Sequence, residues 1–222
     1  MEIKPVAYYH TAIKGKFGLP RQAGVVAELE GRIVLEKEYS SPDALRGMDG
    51  FDYLWLIWGF NLNKQTASQN SLTVRPPRLG GNERVGVFAS RSPYRPNPLG
   101  LSSVKISSID FDKAVIYVKG ADLADGTPIY DIKPYLEYAD AHTDIRSGFT
   151  DQKQWPTLNV IIPDHIELSF SPDELESLKA LLTQDPRPHY HDDPDRIYGL
   201  IFGDKNVRFR VDGNMLTVVS ID

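Results

Sequence analysis

VKISSIDFDKAVIYV, Val104 to Val118, contains two short runs, Val104 to Ile109 and Ala114 to Val118, in which apolar and polar residues alternate or β-branched residues cluster. Successive side chains of a strand point to opposite faces, so such runs read as strands with one side buried. The signature returns at Ile3 to Tyr9, Gly24 to Glu30, Arg32 to Leu35, Tyr53 to Phe60 and Val85 to Ala89, punctuated by turn residues at Glu30-Gly31 and Gly126-Thr127-Pro128. Ser41-Pro42, followed by Ala44, Leu45 and Gly47, has the cap, first-turn proline and glycine stop of one brief helix. Helices of crossover length are otherwise missing from residues 1–140. A doubly wound parallel sheet is therefore disfavoured, and the expected fold is mainly β, a single β-barrel domain over residues 1–140.

Beyond the barrel, Ala139 to Thr157 turns polar and aperiodic, and residues 141–162 read as a linker or long surface loop. A small α+β C-terminal domain is expected over residues 163–222. In it Ile166, Leu168 and Phe170 alternate as a strand, and Ser171-Pro172-Asp173-Glu174 forms a capping box ahead of Leu175, Leu178 and Leu182. Three more strands follow, Arg196 to Phe202, Val207 to Val211 and Met215 to Ile221, with Asp212-Gly213 as a hairpin signal.

The 222 residues are 41% hydrophobic and 25% charged, which rules out disordered and fibrous classes. The longest greasy stretch, Tyr53 to Phe60, is far short of the roughly 18 residues a membrane span needs, so no membrane association is expected. The opening MEIKPVAYYH has no signal-peptide pattern, and there is no cysteine, which removes disulfides, thiolate zinc sites and thiol nucleophiles. A cytoplasmic location is the expectation.

Net charge is −5, against a general phosphate binder, yet Arg75 to Gly100 holds five arginines and one acid, Glu83, leaving −9 for the rest. One basic segment on an acidic protein steers an anion to one place. Nine of those 26 residues are Pro or Gly, so the arginines Arg75, Arg78, Arg84, Arg91 and Arg95 sit in a stiffened frame suited to binding carboxylate or phosphate. A second stretch, DLADGTPIYDIKPY from Asp122 to Tyr135, leaves a tight turn along a strand, and a third, Gly18-Leu19-Pro20-Arg21-Gln22, reads equally well as a ligand loop or a connector. Trp55 and Trp58 fit core or interface packing better than base stacking. His189, His191, Asp192, Asp193 and Asp195 match no zinc or calcium spacing, and no metal is expected. No G-x-G-x-x-G, G-x-S-x-G or H-E-x-x-H motif occurs, which disfavours Rossmann cofactor binding, the serine-hydrolase elbow and zincin chemistry.

Taken in order and spacing, GLPRQ, VRPPRLGG, VGVFASRSPYRPNPLGLS and DLADGTPIYDIKPY closely resemble the TsaA-like (TrmO-type) family of S-adenosylmethionine-dependent tRNA methyltransferases. The resemblance covers residues 3–140, and Asp185 to Pro188 with Tyr198-Gly199 resembles the family's smaller C-terminal domain. It implies a homodimeric β-barrel enzyme that uses S-adenosyl-L-methionine to methylate N6 of threonylcarbamoyladenosine beside the anticodon, in the anticodon loop of threonine tRNA. Carried over by motif, the cofactor contacts are Pro20, Arg21, Gln22, Arg91, Leu101, Gly126, Thr127, Pro128 and Ile129, with Asn61 and Leu62 standing where the family often has a histidine. Asp125 and Asp131 are the nearest proton acceptors by motif, and Arg75, Arg78, Arg95 and Lys133 supply cations for the threonyl carboxylate and loop phosphates. Two other readings remain: a non-catalytic nucleotide- or RNA-binding barrel, and a methyltransferase acting on a small molecule.

Overall fold

The computed structural model describes residues 2–15, 18–62, 72–76, 83–151, 157–187 and 193–222. Its first part carries β1 (Ala7–Thr11), β2 (Glu30–Leu35), β3 (Tyr53–Gly59), β4 (Thr73–Val74), β5 (Val85–Gly86), β6 (Leu99–Asp110), β7 (Val115–Lys119) and β8 (Thr127–Pro134). The second adds β9 (Asn159–Ile161), β10 (Tyr198–Phe202), β11 (Lys205–Asp212) and β12 (Met215–Ile221). Helices are few and short: α1 (Pro42–Leu45), α2 (Glu137–Asp140), α3 (Asp164–Glu167) and α4 (Pro172–Thr183).

Six strands close a barrel in the order β1-β2-β7-β6-β3-β8, every neighbour antiparallel. Closure leaves no strand edge unpaired and turns one face of each strand inward. On β3 the inward set is Leu54, Leu56 and Trp58, and on β7 it is Ile116 and Val118. Tyr9, Ile33, Val104 and Ile129 complete this core. The register of β3 against β8 slips between Ile57 and Trp58, a bulge that re-aims the strand as it reaches the barrel rim.

The second sheet runs β10-β11-β12-β9 and packs on α4. The capping box of α4 forms as expected, with the Ser171 hydroxyl accepting from the Glu174 amide and the Glu174 carboxylate from the Ser171 amide. Leu178, Leu181 and Leu182 then face Leu200, Phe209 and Val218. Ile13, Val26 and Leu29, between β1 and β2, are buried in this same cluster, so the first loop of the barrel is part of the second core.

Three expected strands differ. Gly24 to Glu30 is a chain of turns leading into β2: Gly24 has φ +79° and Leu29 N–H bonds to Val26 C=O, which puts Val26 and Leu29 on one side instead of alternating. Ile166 to Phe170 begins as α3, because Pro163 leaves its carbonyl to the Ile166 and Glu167 amides; Ile166 is buried while Leu168 is 87% exposed. Val85 to Ala89 pairs only at Val85–Gly86 and then winds into a 3-10 turn, burying Val87 and exposing Phe88. Asn159 to Ile161, read from sequence as loop, is a strand in parallel register with β12.

Candidate active site

A cavity of about 950 Å³ opens at the barrel rim, where β3, β6, the β1–β2 loop, the β5–β6 segment and the β7–β8 turn converge. That is the size of a small-molecule site, for which roughly 300–1,000 Å³ is usual. Its apolar floor is Trp58, only 6% exposed, with Phe60 edge-on at 4.4 Å between ring centres. Gly100 faces this ring across the β3–β6 pair, and any side chain there would meet the indole at 2.3 Å, so glycine is what lets the two strands bring Trp58 under the cavity.

The β1–β2 loop supplies Pro20, Arg21 and Gln22 to the wall. Its entry, Gly18, has φ +86°, and a Cβ there would lie 2.1 Å from Leu200 of β10. The far side of the loop is tied by Arg21, whose Nη2 donates to the Asp185 carbonyl at 3.2 Å. Asp185 itself has φ +49°, and its carboxylate takes Arg187 Nε at 2.9 Å and Nη2 at 3.0 Å. Both side chains of this pair are nearly buried, at 12% and 13%. Replacing Arg187 with methionine removes both guanidinium bonds from that nearly buried carboxylate, leaving it the amide of residue 187, and is expected to cost about 3 kcal/mol, a drop in thermal midpoint of roughly 10 °C in a melt followed by circular dichroism.

Arg91 reaches across from the arginine segment to donate from Nη1 to Gln22 Oε1, and Arg95 lines the same wall with Nη1 on the Ser90 carbonyl at 3.3 Å. Asn61, Leu62, Leu101 and Thr127 line it too. Asn61 Nδ2 donates to the Gly126 carbonyl at 3.1 Å and thereby joins the end of β3 to the turn; Thr127 Oγ1 closes that turn on the Ala124 carbonyl at 2.8 Å. Gly126, Pro128 and Ile129 shape the turn from behind; among the described wall residues they do not appear.

The other sequence-derived positions lie elsewhere. Asp125 Oδ1 sits 3.2 Å from both the Thr11 amide and His10 Nδ1, and Asp131 pairs with Lys133 at 2.9 Å on β8; none of these borders the cavity. Arg75 is exposed just after β4, and Arg78 lies outside the described residues. Trp58 and Phe60 face the cavity floor and barrel core, so they give a second subunit little to cover. His189, His191 and Asp192 also lie outside the described residues, and among those described no group of three metal-ligating side chains comes together. No described helix is long and apolar enough to cross a membrane.

One wall residue carries no role in the motif reading. Asp122, at the head of the β7–β8 turn, accepts the Ser102 hydroxyl on Oδ1 at 2.6 Å, and Ser102 in turn accepts the Trp58 indole N–H at 2.9 Å. Burial pushes this carboxyl above the usual range, against the Ser102 hydroxyl, the amides of Asp122 and Ala23, and Arg91, which pull it down.

The model for the tRNA-methyltransferase O N-terminal domain matches residues 8–141, and that for the TrmO C-terminal domain matches residues 156–222. The chain belongs to the tRNA-methyltransferase O family. Among its relatives is the tRNA (adenine(37)-N6)-methyltransferase of Escherichia coli K12, 34% identical over 220 residues that span 95% of this chain and 93% of that one. The protein of the same name from Eikenella corrodens is 45% identical over 173 residues, 77% of this chain and 97% of that one. A crystal structure of TrmO superposes with a TM-score of 0.79 at 29% identity, covering 100% of this chain and 98% of the other. The barrel and appended sheet are thus the TrmO architecture, and the rim cavity lies within the span matched by the family's N-terminal domain.

Proposed function

We propose that this chain transfers the methyl group of S-adenosylmethionine to N6 of N6-threonylcarbamoyladenosine at position 37 of threonine tRNA. At the coarser level it is an S-adenosylmethionine-dependent tRNA (adenine(37)-N6)-methyltransferase, on the strength of its family and of full-length relatives with that name. The finer reading rests on the motif resemblance, and one observation carries it: the wall that joins Pro20, Arg21 and Gln22 to Arg91 also holds Arg95, so besides Arg21, whose guanidinium reaches the Asp185 carbonyl, two further guanidinium groups line one small-molecule cavity. One suits the carboxylate of the cofactor and the other that of the threonyl group.

The cofactor supplies an electrophilic methyl group on a positively charged sulfur. The protein has to align that methyl with a nitrogen and keep water away, which a rim stiffened by Pro20, Pro93 and Pro96 suits. An anticodon loop presents unstacked bases, so position 37 is reachable without opening a duplex. The active unit is read as a homodimer: Phe88 and Leu101, 75% and 58% exposed, stand at the cavity with apolar surface for a second copy to cover. Light scattering is expected to return twice the mass of one chain.

Methyl-labelled cofactor, the purified chain and a total tRNA pool test the reading. After digestion to nucleosides the label is expected on N6-methylated threonylcarbamoyladenosine from threonine tRNA. Label on plain methyladenosine, or on a small molecule instead of tRNA, overturns it.

A further inference from the structure

We propose that Asp122 is the group that takes the N6 proton during methyl transfer. This rests on the function proposed above. The bond changes demand such a group. The nitrogen's lone pair forms the new bond to carbon, the carbon–sulfur pair leaves to sulfur, and the N6–H pair stays on nitrogen, so one proton must depart. The acceptor has to border the cavity, carry a negative charge and be held in place.

Among the described residues that line the cavity, Asp122 is the one carboxylate; Arg21, Arg91 and Arg95 are the other charged groups there. Two separate elements hold it, and a third braces one of them. Ser102 Oγ on β6 donates to Oδ1 at 2.6 Å, the Ala23 amide reaches it from the cofactor loop, and the Trp58 indole fixes Ser102 from β3 at 2.9 Å. A carboxylate locked by donors on separate elements keeps its position against a reacting nitrogen. By contrast, Asp125 faces His10 and Thr11, and Asp131 faces Lys133, both away from the cavity wall.

The electrostatics fit a base. Burial raises the Asp122 carboxyl, which makes it a better proton acceptor than an ordinary aspartate, while the Ser102 hydroxyl, the amides of Asp122 and Ala23, and Arg91 favour its charged form. The groups that act on it from neighbouring elements are Arg91 and, on β1, Tyr9, whose phenol is pushed up by burial and further by Asp122 and Asp125; Arg21 and Arg95 line the same cavity. Tyr9 therefore remains neutral across the working range, and His10 faces Asp125. An acid limb in the rate of transfer belongs to Asp122. Removing the Ser102 hydroxyl takes away a donor that favours the charged form, so the carboxyl rises further and the limb moves to higher pH.

The test uses single-turnover methyl transfer to threonylcarbamoylated tRNA across pH, together with cofactor titration by calorimetry, for wild type, Asp122→Asn and Ser102→Ala. Asp122→Asn keeps the shape and an acceptor oxygen, so cofactor affinity is expected to stay within about threefold while the transfer rate falls about 100-fold or more. Ser102→Ala is expected to keep an acid limb displaced to higher pH. A rate within tenfold of wild type for Asp122→Asn overturns the inference. So does a loss that is matched by lost cofactor affinity, which makes Asp122 an anchor of the Ala23 loop, and so does an unmoved limb in Ser102→Ala. A wild-type chain that binds cofactor and methylates no tRNA overturns the functional reading and this inference together; a wild type that works while Asp122→Asn works equally well overturns the inference alone.

Discussion

Threonine tRNA carrying plain adenosine at position 37 is expected to accept methyl at about a thousandth of the rate of the threonylcarbamoylated form. Two effects multiply. In plain adenosine the N6–H is a poor acid, so a carboxylate at the position of Asp122 has little to remove. Between a purine and a carbamoyl carbonyl the same proton is acidic. Under the proposed function the threonyl carboxylate pairs with Arg95, which lines this cavity together with Arg91. A site built to pair a charged group leaves its own guanidinium uncompensated when the substrate lacks that group, and discrimination of 10³ or more is on the scale such sites reach, about 10⁴–10⁵ at best. Initial rates with a transcript and with the same tRNA after enzymatic threonylcarbamoylation decide the matter. Equal rates within tenfold place the recognition on the loop backbone and overturn the finer substrate.

What the sequence discloses depends on how local the cause is. The barrel strands read directly because each alternates, and in a closed antiparallel sheet every inward residue is buried by its neighbours whichever strand they come from. The α4 cap reads directly because Ser171 and Glu174 satisfy each other within one turn. Ile166, Leu168 and Phe170 mislead because alternation over so short a run is outweighed by Pro163 and by the demand to bury only Ile166. Motif spacing likewise brings Pro20 to Gln22, Asn61, Arg91, Leu101 and Thr127 to one cavity. It fails for Asp122, although that residue heads the DLADGTP stretch. Asp122 is set apart from Asp125 by Ser102, 20 positions earlier in the chain, which bonds to it, and by Trp58, 64 positions earlier, which holds Ser102 in turn. Nothing in linear spacing distinguishes the two carboxylates. Arg21 on Asp185 is illegible for the same reason, since 164 positions separate them.

The arginine segment, finally, divides by place. Arg91 borders the cavity and latches Gln22, so Arg91→Ala removes a charge-assisted hydrogen bond and frees the loop that carries Pro20 and Arg21. A hydrogen bond to a charged group contributes about 1.5–3 kcal/mol, so cofactor affinity is expected to weaken about 10- to 100-fold. Arg75 is exposed beyond β4 and away from the described cavity wall. Its neutralisation is expected to leave cofactor affinity intact, to raise the tRNA KM, and to flatten the log-log salt dependence by about one unit, because one phosphate fewer is neutralised on binding. Arg95 borders the cavity but bonds to the Ser90 carbonyl and leaves Gln22 to Arg91. Arg95→Ala is therefore expected to act on the threonyl carboxylate and to raise the tRNA KM with the cofactor still bound. Calorimetry with cofactor and methyl transfer at several salt concentrations separate the three variants. If Arg75→Ala and Arg95→Ala abolish cofactor binding as completely as Arg91→Ala, the whole segment is one cofactor clamp and the tRNA is held by other cations.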